Sequence, residues 1–198
     1  MPRKARRAQL LDAALEVFVA QGYHAAAMDD IAERAAVSKP VLYQHFPSKL
    51  ELYLALLDLT CDTVIEAVRE ALATPTDNNR HRVEATMEVF YAYVADAGGA
   101  FRLVFESDLV NEPAVRERVD RVTNECADSI AAVIHDDTGL PSDESQLLAV
   151  SLVGMAQVSA RFWLAKERPL DQDNASQLVA SLAWRGIRGF PRTDEPAG

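Results

Sequence analysis

The sequence contains little glycine and only two cysteines, and these shortages exclude several classes of protein. Eight glycines in 198 residues leave little material for a phosphate-binding nucleotide loop. Cys61 and Cys126 belong to no C-x-x-C motif, so we expect buried, reduced thiols. The four histidines form no pair with metal-ligand spacing, and no metallopeptidase or serine-hydrolase motif is present. We therefore predict no metal, no cofactor and no enzymatic activity.

Long uncharged segments are lacking as well. No run of 18 residues is free of charge, so no membrane span is predicted. The basic start of the chain leads directly into an amphipathic segment, without the apolar stretch of a signal peptide, and a cytoplasmic protein is expected. Hydrophobic residues make up 49% of the chain, which is enough to form a core.

Charge is distributed unevenly along the chain, whose formal net charge is −10. Residues 1–50 contain seven Lys and Arg against five Asp and Glu, and the excess of acid lies entirely in the remainder. Charges are screened beyond roughly 8–10 Å at physiological salt, so attraction to phosphate depends on local charge. A modestly basic segment at residues 1–50, followed by an acidic remainder, is therefore compatible with DNA binding through residues 1–50 alone.

Apolar residues recur at helical spacing and no strand-like alternation persists, which predicts an all-α protein of about nine helices. Gly22 is expected to end the first helix. Ser48 and Glu51 have the spacing of a capping box at the start of a long helix. The predicted helices cover about residues 3–21, 28–35, 39–46, 48–73, 80–97, 100–110, 112–137, 142–166 and 173–189.

The stretch Met28–Lys49 has the pattern of a helix-turn-helix. Two short helices flank a tight turn at residues 36–38, and Ser38 is placed to cap the second helix. Leu42 and Phe46 are spaced to face a core, which leaves a polar strip on the other side, suited to the major groove of DNA. The outward residues are Lys39, Pro40, Val41, Tyr43, Gln44 and His45. An ordinary helical hairpin with a polar face is the alternative.

Residues 7–57 resemble the DNA-binding domain of the TetR family of bacterial regulators. The matching runs are Gly22-Tyr23, Ile31-Ala32, the segment Ser38–Phe46 and Ser48-Lys49. The resemblance implies a TetR-type all-α fold, with a helix-turn-helix domain at residues 1–50 and a helical ligand-binding and dimerisation domain at 51–190. Residues 191–198 are expected to be a flexible tail. It further implies a homodimer on double-stranded operator DNA.

The same resemblance implies roles for individual residues. Lys39, Pro40 and Val41 are expected at base edges, and Gln44 opposite adenine or another base. Tyr43, His45 and Lys49 are expected to grip phosphates. The complete predicted DNA-binding set is Met28, Ser38, Lys39, Pro40, Val41, Tyr43, Gln44, His45 and Lys49.

Two positions depart from the family pattern. Ala36 stands in the turn where the family usually has glycine, and a left-handed alanine would cost about 1 kcal/mol. Met28 stands where the family usually has a capping threonine, so that Asp29 or Asp30 is left to cap. The basic residues of segment 3–7 are either an arm that reaches DNA or simply a solubilising terminus.

Large apolar residues dominate the second half of the chain, which indicates either a lipophilic cavity or ordinary core packing. Beyond the first domain the chain resembles a branch of the TetR family, the actinobacterial regulators of fatty-acid biosynthesis. The matching runs include Phe101–Glu106, Asn111–Pro113, Leu152–Met155 and Ala160–Leu164. The resemblance implies a long-chain acyl-coenzyme A effector. The predicted ligand-binding residues are Phe90, Tyr93, Phe101, Val104, Phe105, Leu152, Met155 and Phe162.

Small residues in the late helix permit close helix approach, and with the last helix they predict a four-helix dimer interface. The predicted dimerisation residues are Ser151, Gly154, Leu178, Leu182 and Trp184. Arg161 is expected to form an ion pair with Glu106, Asp108 or the last helix, or to meet a phosphate or carboxyl group of a ligand. Two other functions stay open: a TetR-type repressor of an efflux or catabolic operon with another lipophilic ligand, and a helical acyl-binding carrier without a DNA function.

Overall fold

Helices form where the apolar spacing predicts them. The computed structural model describes residues 2–76, 78–105, 109, 111–166 and 170–187, and every regular element in those ranges is an α-helix. The elements are α1 (Arg3–Ala25), α2 (Met28–Arg34), α3 (Lys39–His45), α4 (Lys49–Ala73), α5 (Asn79–Asp96), α6 (Gly98–Phe105), α7 (Pro113–Thr138), α8 (Ser142–Ala165) and α9 (Gln172–Ile187). The all-α prediction is confirmed for this part of the chain.

The first helix changes geometry at the glycine where its end was predicted. Gly22 has φ 76° and ψ 164°, a conformation outside the helical region, and the chain then continues as helix to Ala25. An L side chain rarely adopts that backbone conformation, whereas glycine adopts it at little cost. Gly22 therefore breaks α1 as expected, although one further turn follows it.

Compact packing divides the chain into two units. The first unit holds residues 1–62 together with 99–119, and the second holds 63–98 together with 120–198. The division falls inside α4 and α7 and after the first residue of α6, so the compact units do not coincide with the boundary predicted after residue 50. The assignment of DNA binding to 1–50 and of effector binding and dimerisation to 51–190 remains a prediction. The predicted tail at 191–198 lies outside the described residues.

The core of the first unit is assembled from α1, α2, α3, α4 and α6. Leu10, Phe18, Ile31 and Leu42 are fully buried there, and each large apolar side chain contributes about 1.5–3 kcal/mol on burial. The Tyr53 hydroxyl donates a buried hydrogen bond of 3.0 Å to the carbonyl of Leu103. This bond joins α4 to α6, so the unit contains a helix that lies far along the sequence from its other members.

In the second unit α5 packs against α8 and α9. The Tyr91 hydroxyl donates to Ser159 Oγ at 2.8 Å, and its ring lies 5.5 Å from that of Trp163. Burial raises the pKa of Tyr91, and the hydrogen bond to Ser159 acts in the opposite direction. Cys61 and Cys126 are both buried, as predicted, and neither forms a disulfide bond within the described residues.

One face of α8 and α9 is apolar but uncovered. We call this surface the α8–α9 face. Its large exposed members are Leu147, Val150, Val158 and Phe162 on α8 and Leu178 and Leu182 on α9. By length and composition α8 also passes the test for a membrane-crossing helix, a test that helices of soluble proteins pass too.

Candidate nucleic-acid interface

The turn between α2 and α3 is tight and left-handed at one residue. Ala36 has φ 50°, which is the left-handed conformation considered for an alanine at this position. The Ala36 amide donates to the carbonyl of Glu33 at 2.9 Å, and the Val37 amide donates to that of Ala32 at 3.0 Å. These bonds satisfy the end of α2 while reversing the chain, and they place the start of α3 directly after the turn.

The recognition helix α3 has one buried and one exposed side. Leu42 and Phe46 are 0% and 2% exposed, respectively, and they attach the helix to the core. The opposite side consists of surface residues, of which four are exposed and two are half-buried. These are Lys39, Pro40, Tyr43 and Gln44, with Val41 and His45 half-buried. The outward orientation is therefore as predicted, while contact with DNA stays a prediction.

Two other members of the predicted DNA-binding set have different surroundings from those expected. Met28 is only 8% exposed, so its side chain belongs to the core rather than to a DNA-facing surface. Ser38 is exposed and has the extended backbone of an N-cap, but its side chain makes no capping hydrogen bond. Neither Asp29 nor Asp30 caps α2, whose N-cap residue is Ala27. The expected capping at both helix starts was wrong.

Lys49, predicted to contact phosphate, is engaged by the protein. Its ammonium donates to the carbonyls of Tyr23 at 2.8 Å, Ala26 at 2.9 Å and His24 at 3.3 Å. It also lies 4.6 Å from the centre of the Tyr23 ring. These contacts join the first residue of α4 to the end of α1, where carbonyls lack helical partners. A phosphate contact would compete with this structural role, which sequence reasoning missed.

The basic N-terminal segment is helical from Arg3 onward, so it is not a free arm. The Arg7 guanidinium lies 4.3 Å above the centre of the Phe46 ring. Arg6 donates to Gln9 Oε1 at 2.9 Å, and Gln9 in turn donates to the carbonyl of Ala35 at 2.8 Å. Gln9 thus caps the end of α2 from α1, a role that its sequence position did not reveal.

The cations near α3 are partly neutralised by acids. Lys39 Nζ lies 2.7 Å from Asp29 Oδ1, and Arg34 pairs with Glu16 on α1. The hydrogen bond with Asp29, and next the charge of Asp29, raise the pKa of Lys39. The surface that would meet DNA is therefore less positive than its Lys and Arg content implies.

The predicted ligand-binding residues are divided between the two units. Phe101, Val104 and Phe105 belong to the first unit, and the remaining five to the second. Phe90, Phe101 and Val104 are buried, and four are half-buried: Tyr93, Phe105, Leu152 and Met155. Phe162 is 61% exposed on the α8–α9 face. Its assignment to an enclosed ligand cavity was therefore wrong, because its side chain faces outward.

Most of the predicted dimerisation residues lie at the surface of the second unit. Leu178 and Leu182 on α9 are 61% and 64% exposed, and Ser151 on α8 is also exposed. A Cβ added to Gly154 meets nothing within 4 Å. Trp184 is half-buried. Arg161 is exposed on the same helix, and its suggested partners Glu106 and Asp108 lie outside the described residues.

Known families match both parts of the chain. The family described as bacterial regulatory proteins, tetR family, matches residues 10–56, and the tetracyclin repressor-like C-terminal domain matches residues 79–186. The chain belongs to the TetR family. The helix-turn-helix at α2 and α3 is thus the DNA-binding element of a transcription regulator, and the resemblance inferred from Ser38–Phe46 is confirmed.

Individual relatives of this TetR-family chain agree in length as well as in fold. The HTH-type transcriptional activator FasR of Mycolicibacterium smegmatis is 48% identical over 193 residues, which cover 98% of this chain and 88% of the relative. A TetR-like regulator from Rhodococcus sp. RHA1 has a TM-score of 0.77 at 28% identity, covering 96% and 99% of the two chains. FadR of Bacillus subtilis, solved with stearoyl-CoA, shares the fold with a TM-score of 0.76 at 17% identity, covering 89% and 96%.

Proposed function

We propose that this protein is a homodimeric regulator that binds operator DNA upstream of fatty-acid biosynthesis genes and responds to long-chain acyl-coenzyme A. The observation that carries the proposal is the 48% identity with FasR over 98% of the chain. Because FasR is a transcriptional activator, we propose that this protein also activates transcription. The proposal extends beyond family membership in its gene target, its effector and its assembly.

The proposed DNA contacts follow from the exposed side of α3. Gln44 has the amide geometry to pair with adenine N6 and N7, and Lys39 suits the acceptors of guanine. Tyr43 and His45 on the same side are placed to contact phosphates, which position the helix without reading sequence. We omit Met28 from these contacts because its side chain is buried.

The proposed dimer uses the α8–α9 face. Contiguous apolar surface of this kind is rare on monomeric soluble proteins and marks interaction sites. A second copy is the proposed occupant, because antiparallel packing of α8 and α9 against their copies forms a closed four-helix interface around a two-fold axis. We propose that this dimer presents the two copies of α3 to the two half-sites of an operator, which helix-turn-helix dimers bind about 34–36 Å apart. We add Phe162 to the interface residues predicted from sequence.

The proposed effector rests on its chemistry and on the relative. A long acyl chain gains about 0.8 kcal/mol for each methylene group transferred from water to apolar surroundings. In the second unit, Phe90 and Tyr93 on α5 and Leu152 and Met155 on α8 remain the proposed contacts. They lie on two helices that pack together and are buried or half-buried.

The test is a binding assay with labelled promoter fragments from fatty-acid synthesis genes and from the region upstream of the protein's own gene. Binding should weaken by about 10³-fold or more between 50 and 200 mM salt if six or more phosphates are contacted. Stearoyl-CoA should change operator affinity, and native mass spectrometry should give the mass of a dimer.

Each alternative has its own outcome in this assay. A repressor of an efflux or catabolic operon would bind only its own upstream region and would ignore acyl-coenzyme A. An acyl-binding carrier would bind stearoyl-CoA without binding either promoter. Either outcome would reject the proposed function.

A further inference from the structure

An acidic side chain lies within the surface that is expected to meet DNA. Asp29 is in the first turn of α2, and its carboxylate lies 2.7 Å from the ammonium of Lys39, the first residue of α3. Both side chains are exposed, at 65% for Asp29 and 55% for Lys39. The pair joins the starts of the two helices of the helix-turn-helix.

This ion pair has little to contribute to folding. Exposed pairs are typically worth no more than a small fraction of a domain's stability, since water solvates both charges well. Burial of Leu42, Phe46 and Ile31 already attaches α3 to α2 and to the core. The pair does, however, hold the flexible side chain of Lys39 in one position. It also leaves the negative charge of Asp29 on the surface that DNA phosphates are expected to approach.

We propose that Asp29 determines DNA specificity by holding Lys39 and by opposing its transfer to any DNA that lacks a suitable base acceptor. The inference rests on the proposed DNA contacts of α3. On an unrelated sequence, Lys39 stays with Asp29, releases no counterion from the DNA, and leaves the carboxylate close to phosphates. On the operator, base acceptors replace the carboxylate as the partner of Lys39. Breaking the ion pair with Asp29 therefore costs less free energy on the operator than on an unrelated sequence.

The neighbouring residue provides a matched control. Asp30 lies in the same turn and is also exposed, but Lys39 pairs with Asp29. Asp29→Asn and Asp30→Asn remove the same charge from the same helix end, so their effects on helix stability and on overall charge are alike. A difference between the two variants therefore reports the pairing with Lys39.

The experiment uses the full-length protein and an operator selected by it from random duplexes, compared with a scrambled duplex. Asp29→Asn should raise affinity for the scrambled duplex about three- to tenfold and steepen its salt dependence by about one ion. Affinity for the operator should rise less, so the specificity ratio should fall about threefold or more. Asp30→Asn should raise both affinities equally, and Asp29→Glu should keep the wild-type ratio.

A double-mutant cycle with Lys39→Ala completes the test. In that background Asp29→Asn should change both affinities equally, because the residue that Asp29 controls is gone. The inference is overturned if Asp29→Asn and Asp30→Asn act alike, or if the fall in ratio persists without Lys39. A selected operator that is absent from fatty-acid gene promoters would reject the proposed target but leave this comparison intact. Failure to select any sequence would reject both.

Discussion

The helix-turn-helix and the α8–α9 face differ in where their large apolar side chains lie. In the first, large apolar side chains are buried, and long polar ones tie helix ends together, as Lys49 does for α1 and Gln9 for α2. In the second, leucines such as Leu178 and Leu182 stand mostly exposed. The first region is complete within one chain and offers a polar side to a charged partner. The second is expected to be completed by a second copy.

The largest effect should come from introducing charge into the α8–α9 face. We expect Leu178→Glu combined with Leu182→Glu to weaken self-association by about a hundredfold or more, because two acids would be buried beside their copies. Operator affinity should also fall, because a monomer contacts only one of the two half-sites. Sedimentation velocity and operator binding measure both effects. As a control, Leu59→Glu changes a half-exposed leucine of α4 and should leave the dimer intact; equal dissociation by both variants would contradict the assigned interface.

The second effect tests whether polar ties hold the helix-turn-helix together. Lys49→Met keeps the aliphatic stem and removes the ammonium from three carbonyls at the end of α1. We expect a loss of about 1–2 kcal/mol in the free energy of unfolding, and a fall of roughly 2–8 °C in Tm. Lys4→Met on the exposed side of α1 is the control. If Tm is unchanged, and the salt dependence of operator affinity falls by the equivalent of about one released counterion, Lys49 contacts a phosphate instead.

A smaller effect should come from the strained turn. Ala36→Gly relieves the positive φ, and the greater freedom of glycine in the unfolded chain offsets part of that gain. We expect a net stabilisation of about 0.5–1 kcal/mol, measured by urea unfolding. The same substitution one residue earlier is the control, since Ala35 has a negative φ of −78° and is buried. Ala35→Gly should destabilise, and two changes of equal sign would count against the left-handed turn.

The smallest effect compares two serines at helix starts. Ser48 accepts a hydrogen bond of 3.1 Å from the Glu51 amide, whereas Ser38 makes no capping bond with its side chain. Ser48→Ala should therefore lower stability by about 1 kcal/mol, the usual value for an N-cap. Ser38→Ala should stay within about 0.5 kcal/mol of wild type by the same urea titration. A large loss at Ser38 would mean that its hydroxyl caps α3 in solution.

Local features of the fold were predictable because they depend on residues close in sequence. Helical periodicity gave all the helices of the described ranges, with ends shifted by a few residues. Gly22 was predicted to end the first helix because glycine adopts a positive φ at little cost, whereas Ala36 was singled out only because the family usually has glycine at that position. The outward side of α3 followed from the spacing of Leu42 and Phe46.

Contacts between distant segments were not predictable in the same way. Lys49 binds carbonyls 23 to 26 residues away, and backbone carbonyls carry no sequence signal. Phe162 was grouped with ligand-binding residues because composition does not distinguish an apolar side chain facing a cavity from one facing a second copy. Its helical spacing from Leu147 and Val158 does place it on their side of α8, and that signal was available in the sequence.

The discontinuous make-up of the first unit bears on attempts to exchange parts between regulators. The DNA-reading helices come before residue 62, yet their unit also takes in residues 99–119, and Tyr53 donates its buried hydroxyl to the carbonyl of Leu103. An N-terminal cassette cut within α4 and grafted onto a foreign sensor would leave that hydroxyl without its native acceptor, and it would expose the apolar surface that α6 covers. A chimaeric regulator built from this chain therefore needs to include α6 and the start of α7 together with the helix-turn-helix.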